Sequence, residues 1–184
     1  MLSIWQLPQK ASIGGREYDL HTDYRDILEI FAYLNDDSLP DFLKWQIALG
    51  LFYRQSVQQA HLAEAVEYMR YFISGGDRQE QAGPKLLDWQ LDAACIVSDI
   101  NRAAGQDVRQ LQYVHWWTFL SWFHAIGPGQ LSMLVTVRDK LRTGKKLEDW
   151  EKDFYRKNKD RVDMKKPLSL QEQQQKLALE QLLE

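Results

Sequence analysis

The residues able to do acid–base, nucleophilic or metal chemistry are few, and their spacing keeps them apart. There are four histidines, His21, His61, His115 and His124. His115 and His124 stand nine residues apart, which on one helix places them about half a turn from each other, so they could not share a metal. No HExxH, CxxC or dense carboxylate cluster supplies a ligand set, and no metal site is expected. The single cysteine, Cys95, lies in the apolar run Ala93-Ala94-Cys95-Ile96-Val97 and reads as a small buried hydrophobe, not a reactive thiol. Asp36-Asp37 and Glu148-Asp149 are adjacent pairs of the kind that cap helices or face solvent. No Ser/His/acid set assembles around them. Gly14-Gly15, Gly75-Gly76 and Gly127-Pro128-Gly129 lack the surroundings of a Walker loop, a GxGxxG fingerprint or a GxSxG elbow, and read as turns. The chain is therefore expected to be no enzyme and to need no cofactor.

What the sequence does concentrate is aromatic surface. Aromatic residues make up 12% of the chain, with seven Trp, and the densest stretch is His115-Trp116-Trp117 with Phe119, Trp122 and Phe123. Two readings stay open. The stretch is a core helix whose indoles find hydrogen-bond partners, or part of it is a partner or self-association face, where Trp and Tyr are enriched.

Composition bounds the rest. With 184 residues, 45% hydrophobic and 27% charged, the chain can bury a core without disulfides or metals. Its N-terminus has no cationic segment followed by an apolar run, and no window reaches the ~18 apolar residues of a membrane span. A cytoplasmic protein with no membrane association is expected. The net charge of −3 is unevenly spread: residues 1–137 carry −6, residues 138–166 carry +5, and residues 167–184 carry −2. The basic segment reads as a solvated helical face, with phosphate binding the lesser alternative.

The elements that must position these residues are mostly helices. Residues 11–20 read as a small β-hairpin turning at Gly14-Gly15, with Ile13, Tyr18 and Leu20 on one face. Thr22 or Asp23 then caps a helix reaching Leu34, with Ile27, Ile30, Phe31 and Leu34 on its apolar face. Asp41 starts a second helix with Phe42, Trp45, Leu49 and Phe52 on one stripe, and a third runs over 62–73 to Gly75-Gly76. Residues 74–87 form a polar, Gly/Pro-containing break predicted to be a mobile loop. Further helices are predicted from Asp88 to about Gly105, over 113–125, 130–143 and 147–158, with Leu131, Leu134, Val137 and Leu141 on the face of 130–143. Ser169-Leu170-Gln171-Glu172 fits a capping box opening a helical, Gln-rich tail. The fold class is thus mainly α: one compact multi-helix domain over 1–166 with a small N-terminal β-hairpin, and a C-terminal helical tail over 167–184.

Three blocks, in order, resemble one known family. They are Gly14-Gly15-Arg16-Glu17-Tyr18-Asp19-Leu20-His21-Thr22-Asp23-Tyr24-Arg25, then Phe72-Ile73-Ser74-Gly75-Gly76, then Tyr113-Val114-His115-Trp116-Trp117-Thr118-Phe119 with a charged segment from Asp149 to Lys159 behind it. They resemble the bacteriophage gene-product-fifteen family of siphophages and prophages of Gram-positive bacteria, over roughly residues 10–160. The tail from Pro167 onward lies outside the match. The genes of that family sit in the tail-morphogenesis region, near the major tail protein and the tape measure, a position similar to that of tail assembly chaperones. The resemblance therefore implies a tail assembly chaperone that binds the tape-measure protein in the bacterial host cytoplasm. It brings no catalytic or binding residues with it. The candidate contact set is Tyr113, Trp116, Trp117, Trp122 and Phe123, chosen for aromatic density. Self-association through the aromatic helix or the C-terminal leucines is a further expectation. The alternatives are a virion component such as a connector or tail-completion protein, and, less favoured, a nucleic-acid binder using 138–166.

Overall fold

The computed structural model describes residues 5–77 and 83–165. Strand β1 (Lys10–Ile13) pairs antiparallel with β2 (Arg16–Asp19), Lys10 opposite Asp19 and Ile13 opposite Arg16. Gly14 and Gly15 turn the chain at φ +56° and +75°, the left-handed values a tight two-residue turn requires. Gly14 is held on a second ground, since a Cβ there would lie 2.5 Å from the His61 ring. Alternation puts Ala11, Ile13, Tyr18 and Leu20 into the core. A two-stranded hairpin is marginal alone, and this one is docked. The Gly14 N–H donates to Glu64 at 2.9 Å, and the Tyr68 hydroxyl donates to the Lys10 carbonyl at 3.1 Å.

Six helices follow: α1 (Tyr24–Leu34), α2 (Asp41–Phe52), α3 (Leu62–Ile73), α4 (Ala93–Ala104), α5 (Trp116–His124) and α6 (Gln130–Arg142). Two more complete the described chain, α7 (Asp149–Lys157) and the short α8 (Lys159–Val162). The chain divides into two compact units, 1–133 and 134–184, with α6 beginning in the first and ending in the second. The expected tail over 167–184, with its capping box, lies outside the described residues, as do residues 78–82 of the break at 74–87.

Asp23 is the α1 cap, its carboxylate accepting the Arg25 N–H at 2.9 Å. Thr22, the other capping candidate, is buried in a closed ring of hydrogen bonds instead. Its hydroxyl donates to Gln9 at 3.1 Å and meets the Tyr113 hydroxyl at 2.7 Å, while the Gln9 amide donates to that phenol at 3.1 Å. At the far end of α3 the chain stops on Gly75 and Gly76, both at positive φ, and the Gly76 N–H returns to the Tyr71 carbonyl at 2.9 Å.

Three sequence expectations need correction. The helix expected from Asp88 starts only at Ala93, because the Asp88 carboxylate takes the Gln90 and Leu91 N–H groups and makes a separate turn, which the Asp92 carboxylate closes by accepting the Asp88 N–H. The helix expected over 113–125 starts at Trp116, because the residues before it are extended. They run antiparallel to the segment after the hairpin, with Tyr24 N–H on Val114 O at 3.0 Å and Trp116 N–H on Thr22 O at 2.7 Å. Leu141, placed on the buried face of α6, is exposed, whereas Leu131, Leu134 and Val137 are buried.

The core of the first unit is aromatic. Tyr24 stacks on Phe119 with centroids 4.4 Å apart, Phe52 meets Phe72 edge-on, and Trp89 and Phe31 both lean on Trp116. In the second unit Leu134, Val137 and Val162 form a smaller core with Leu147, Phe154 and Tyr155. There the buried Arg138 guanidinium donates to the Val162 carbonyl at 3.2 Å, satisfying an oxygen at the end of α8.

Candidate partner-binding site

The aromatic helix α5 is held by its own polar atoms. The His115 side chain caps it: Nδ1 accepts the Trp117 N–H at 3.1 Å, so Nε2 carries the proton and donates to the Pro8 carbonyl at 3.0 Å. Burial disfavours the charged ring and pulls the His115 pKa down, against a smaller opposing effect of the Pro8 bond. The two indoles that follow reach the end of α3. Trp116 Nε1 donates to the Ile73 carbonyl and Trp117 Nε1 to the Phe72 carbonyl, each at 2.8 Å. They satisfy carbonyls that a helix C-terminus leaves without intrahelical partners. A Cβ on Gly76 would come within 3.0 Å of the Trp117 ring, so the glycine also makes room for the indole.

The five candidate contact residues therefore separate. Trp116 and Trp117, at 1% and 8% exposure, present no usable surface in this structure and act as internal fasteners. Tyr113 is half exposed, but its hydroxyl belongs to the ring with Thr22 and Gln9. Trp122 and Phe123 are partly buried against the core, Phe123 with its ring 5.0 Å from that of Trp89. His124, next in the chain, is exposed, and His115 is buried as a cap, so the two do not converge. Among the described residues, no three of His, Cys, Asp or Glu come together to hold a metal ion. Cys95 is buried.

Apolar surface is open elsewhere in the first unit. Helix α2, the stretch that follows it and α3 wall an open groove of about 760 Å³. Phe42, Trp45, Leu49, Val57, Leu62 and Val66 line it, and Phe42, at 71% exposure, stands at its lip. Among the described residues that line it, Arg54 alone carries a charge, and its Nε is anchored on the Leu20 carbonyl at 3.2 Å. The Arg70 guanidinium lies over the Trp45 ring at 5.5 Å and fixes that wall. Periodicity places Phe42, Trp45, Leu49 and Phe52 on one stripe and does not show that Phe42 stands open while Phe52 is buried. The available signal was that α2 is apolar nearly all round, through Phe42, Leu43, Trp45, Ile47, Leu49, Leu51 and Phe52, more than one buried face can use.

The basic segment is partly self-neutralised. Lys140 pairs with Glu151 at 2.6 Å, Arg142 with Asp139 at 2.6 Å, and Lys152 with Asp149 and Lys159 with Asp163 at 2.8 Å. Arg156 pairs with Asp153, and Lys165 with Asp160 at 3.3 Å. Six of its cations thus already hold carboxylates. Among the described residues, no helix is long and apolar enough to cross a membrane.

A family model described as bacteriophage Gp15 protein matches residues 5–164. No curated protein and no solved structure matches the chain. Within the matched span, hydrogen bonds join Thr22, just after the hairpin, and the end of α3 to Trp116 and Trp117.

Proposed function

The chain belongs to the bacteriophage Gp15 protein family, whose name points to a phage structural or morphogenesis protein, and from that premise we propose that it is a tail assembly chaperone for the tape-measure protein. The observation that carries this reading is the open groove between α2 and α3, with Phe42 exposed at its lip. An apolar trough of that kind receives the apolar face of an amphipathic helix. A chaperone acting in the host cytoplasm would cover such faces on a long helical client and be displaced as the tube assembles, which calls for several moderate contacts and fast release. On this reading the chain works by binding and performs no chemistry, and the aromatic helix α5 supports the groove from within.

Co-expression with the tape-measure protein encoded nearby, followed by size-exclusion chromatography, tests it. The expected result is a soluble tape measure that co-elutes with this chain, and purified virions that lack the chain. A tape measure that stays insoluble while this chain elutes alone, or the chain found as a stoichiometric part of purified particles, overturns it in favour of a structural virion component.

A further inference from the structure

Gly50 sits in the last turns of α2, on the wall of the groove, and is exposed. Glycine within a helix is less favourable than alanine, so a helical glycine calls for a local reason. None of the usual reasons applies among the described residues. Gly50 is not among the residues at positive φ, and among the described residues nothing lies within 4 Å of where its Cβ would be. The contrast with Gly14 and Gly76 is direct, for each of those combines positive φ with a side chain pressed against the missing Cβ. A missing side chain beside an open apolar groove leaves room for something outside the chain to come close.

The second observation is charge. The groove is apolar along Phe42, Trp45, Leu49, Val57, Leu62 and Val66, and Arg54, the charged residue among its described lining, follows just after the end of α2. Anchoring Arg54 Nε on the Leu20 carbonyl holds that guanidinium in place. An apolar trough with a fixed cation in its lining is complementary to an apolar stripe flanked by a carboxylate.

We propose that the α2–α3 groove takes an amphipathic helix of a partner protein, its backbone packed close over Gly50 and an Asp or Glu of its flank paired with Arg54. The inference takes from the proposed function only that the partner is helical; it adds where that helix lies, which way its charge points and what excludes competitors. The groove lining itself offers Arg54 no carboxylate, so a basic or neutral helix adds none there.

The test is calorimetric titration of the full chain with a synthetic peptide of about 15 residues, long enough to present about four turns. It carries Leu or Ile at i, i+3, i+4 and i+7 and one test residue at i+11, made as Glu, Gln and Lys versions. The expected order is Glu over Gln over Lys, with about tenfold separating the extremes. Arg54→Glu should invert that order. Gly50→Leu should abolish binding, with thermal melting as the check that the variant folds. Gly50→Ala should raise Tm by about 2–4 °C through helix propensity while weakening the Glu peptide about tenfold. Failure of every peptide to bind wild type at millimolar concentration overturns the proposal, as do equal affinities for Glu and Lys or indifference to Gly50→Leu. A doubled mass in light scattering that Gly50→Leu reverses also overturns it, because the groove would then be filled by a second copy of this chain. The two readings fail separately. A tape measure still co-eluting with the Gly50→Leu variant removes the groove and keeps the chaperone, whereas groove-dependent peptide binding with no tape-measure complex does the reverse.

Discussion

Asp23 and Val114, 91 residues apart in sequence, are joined by the Asp23 carboxylate, whose Oδ2 accepts the Val114 N–H at 2.9 Å while Oδ1 accepts the Arg25 N–H at the same distance. One side chain thus caps α1 and ties it to the extended run that leads into α5. The Arg25 guanidinium closes on the same carboxylate at 3.0 Å and reaches the Leu111 carbonyl at 2.7 Å.

Asp23→Ala removes a helix cap and a charge-assisted bond to a part-buried N–H together. The expected loss is about 2–4 kcal/mol of stability, the sum of a typical cap and one such bond. Urea unfolding followed by circular dichroism measures it. A loss under about 0.5 kcal/mol, within the range of an ordinary surface substitution, would show that the bridge between these segments does not depend on Asp23.

His115 predicts a pH dependence. Its pKa in the folded chain lies below the ordinary value of 6.5, so below that pH the unfolded chain takes up a proton that the folded chain resists. The contribution is fully present above 6.5 and declines as pH falls from 6.5 toward the folded value. Wild type should lose stability relative to His115→Gln between pH 7 and pH 5, read as the difference between their urea midpoints. Parallel curves would mean that the buried cap tolerates the charge.

The two tryptophans of α5 should behave as fasteners. Trp117→Phe keeps most of the ring and removes the indole bond to the Phe72 carbonyl, an expected cost of about 1–3 kcal/mol for an acceptor left buried. Trp116→Ala should cost about 3–5 kcal/mol, as a large core truncation does. Trp117→Phe should leave co-elution with the tape measure unchanged, whereas Phe42→Ser should weaken it while leaving Tm within about a degree or two, as expected of an exposed position. The opposite pattern in the same pull-down would return the contact surface to α5.

Gly14→Ala should destabilise, in contrast to Gly50→Ala. The left-handed φ alone costs about 1–2 kcal/mol for a residue with a Cβ, and the His61 ring at 2.5 Å must also move. Hydrogen exchange at the hairpin amides should accelerate if the turn loosens; unchanged protection would mean the turn re-forms around the new methyl group.

The periodic parts of the fold were legible because period is a local property. The hairpin face of Ile13, Tyr18 and Leu20 follows from strict alternation. The stop of α3 follows from a glycine pair able to take positive φ. What stayed hidden depends on partners far away in sequence. Nothing near Tyr113 says that its backbone is extended, because the cause is Thr22 and Tyr24, which bind the residues beside it. Nothing in the composition of α5 says which indoles are buried, because the acceptors are the Phe72 and Ile73 carbonyls. The groove does have a local signature, since α2, like α5, is apolar nearly all round.

The antiparallel bridge that puts Trp116 N–H on the Thr22 carbonyl sets a schedule for the newborn chain. The hairpin and α1 leave the ribosome first, yet the partner of Thr22 is still to be made. At about 5–20 residues per second, roughly 5–19 s separate the joining of Thr22 from that of Trp116. Through that wait Tyr24, whose ring stacks on Phe119 in the finished protein, lacks part of its cover. The first unit closes only when its most tryptophan-rich helix arrives, so a synonymous codon change that slows translation between residues 24 and 116 prolongs the vulnerable interval without altering a single side chain.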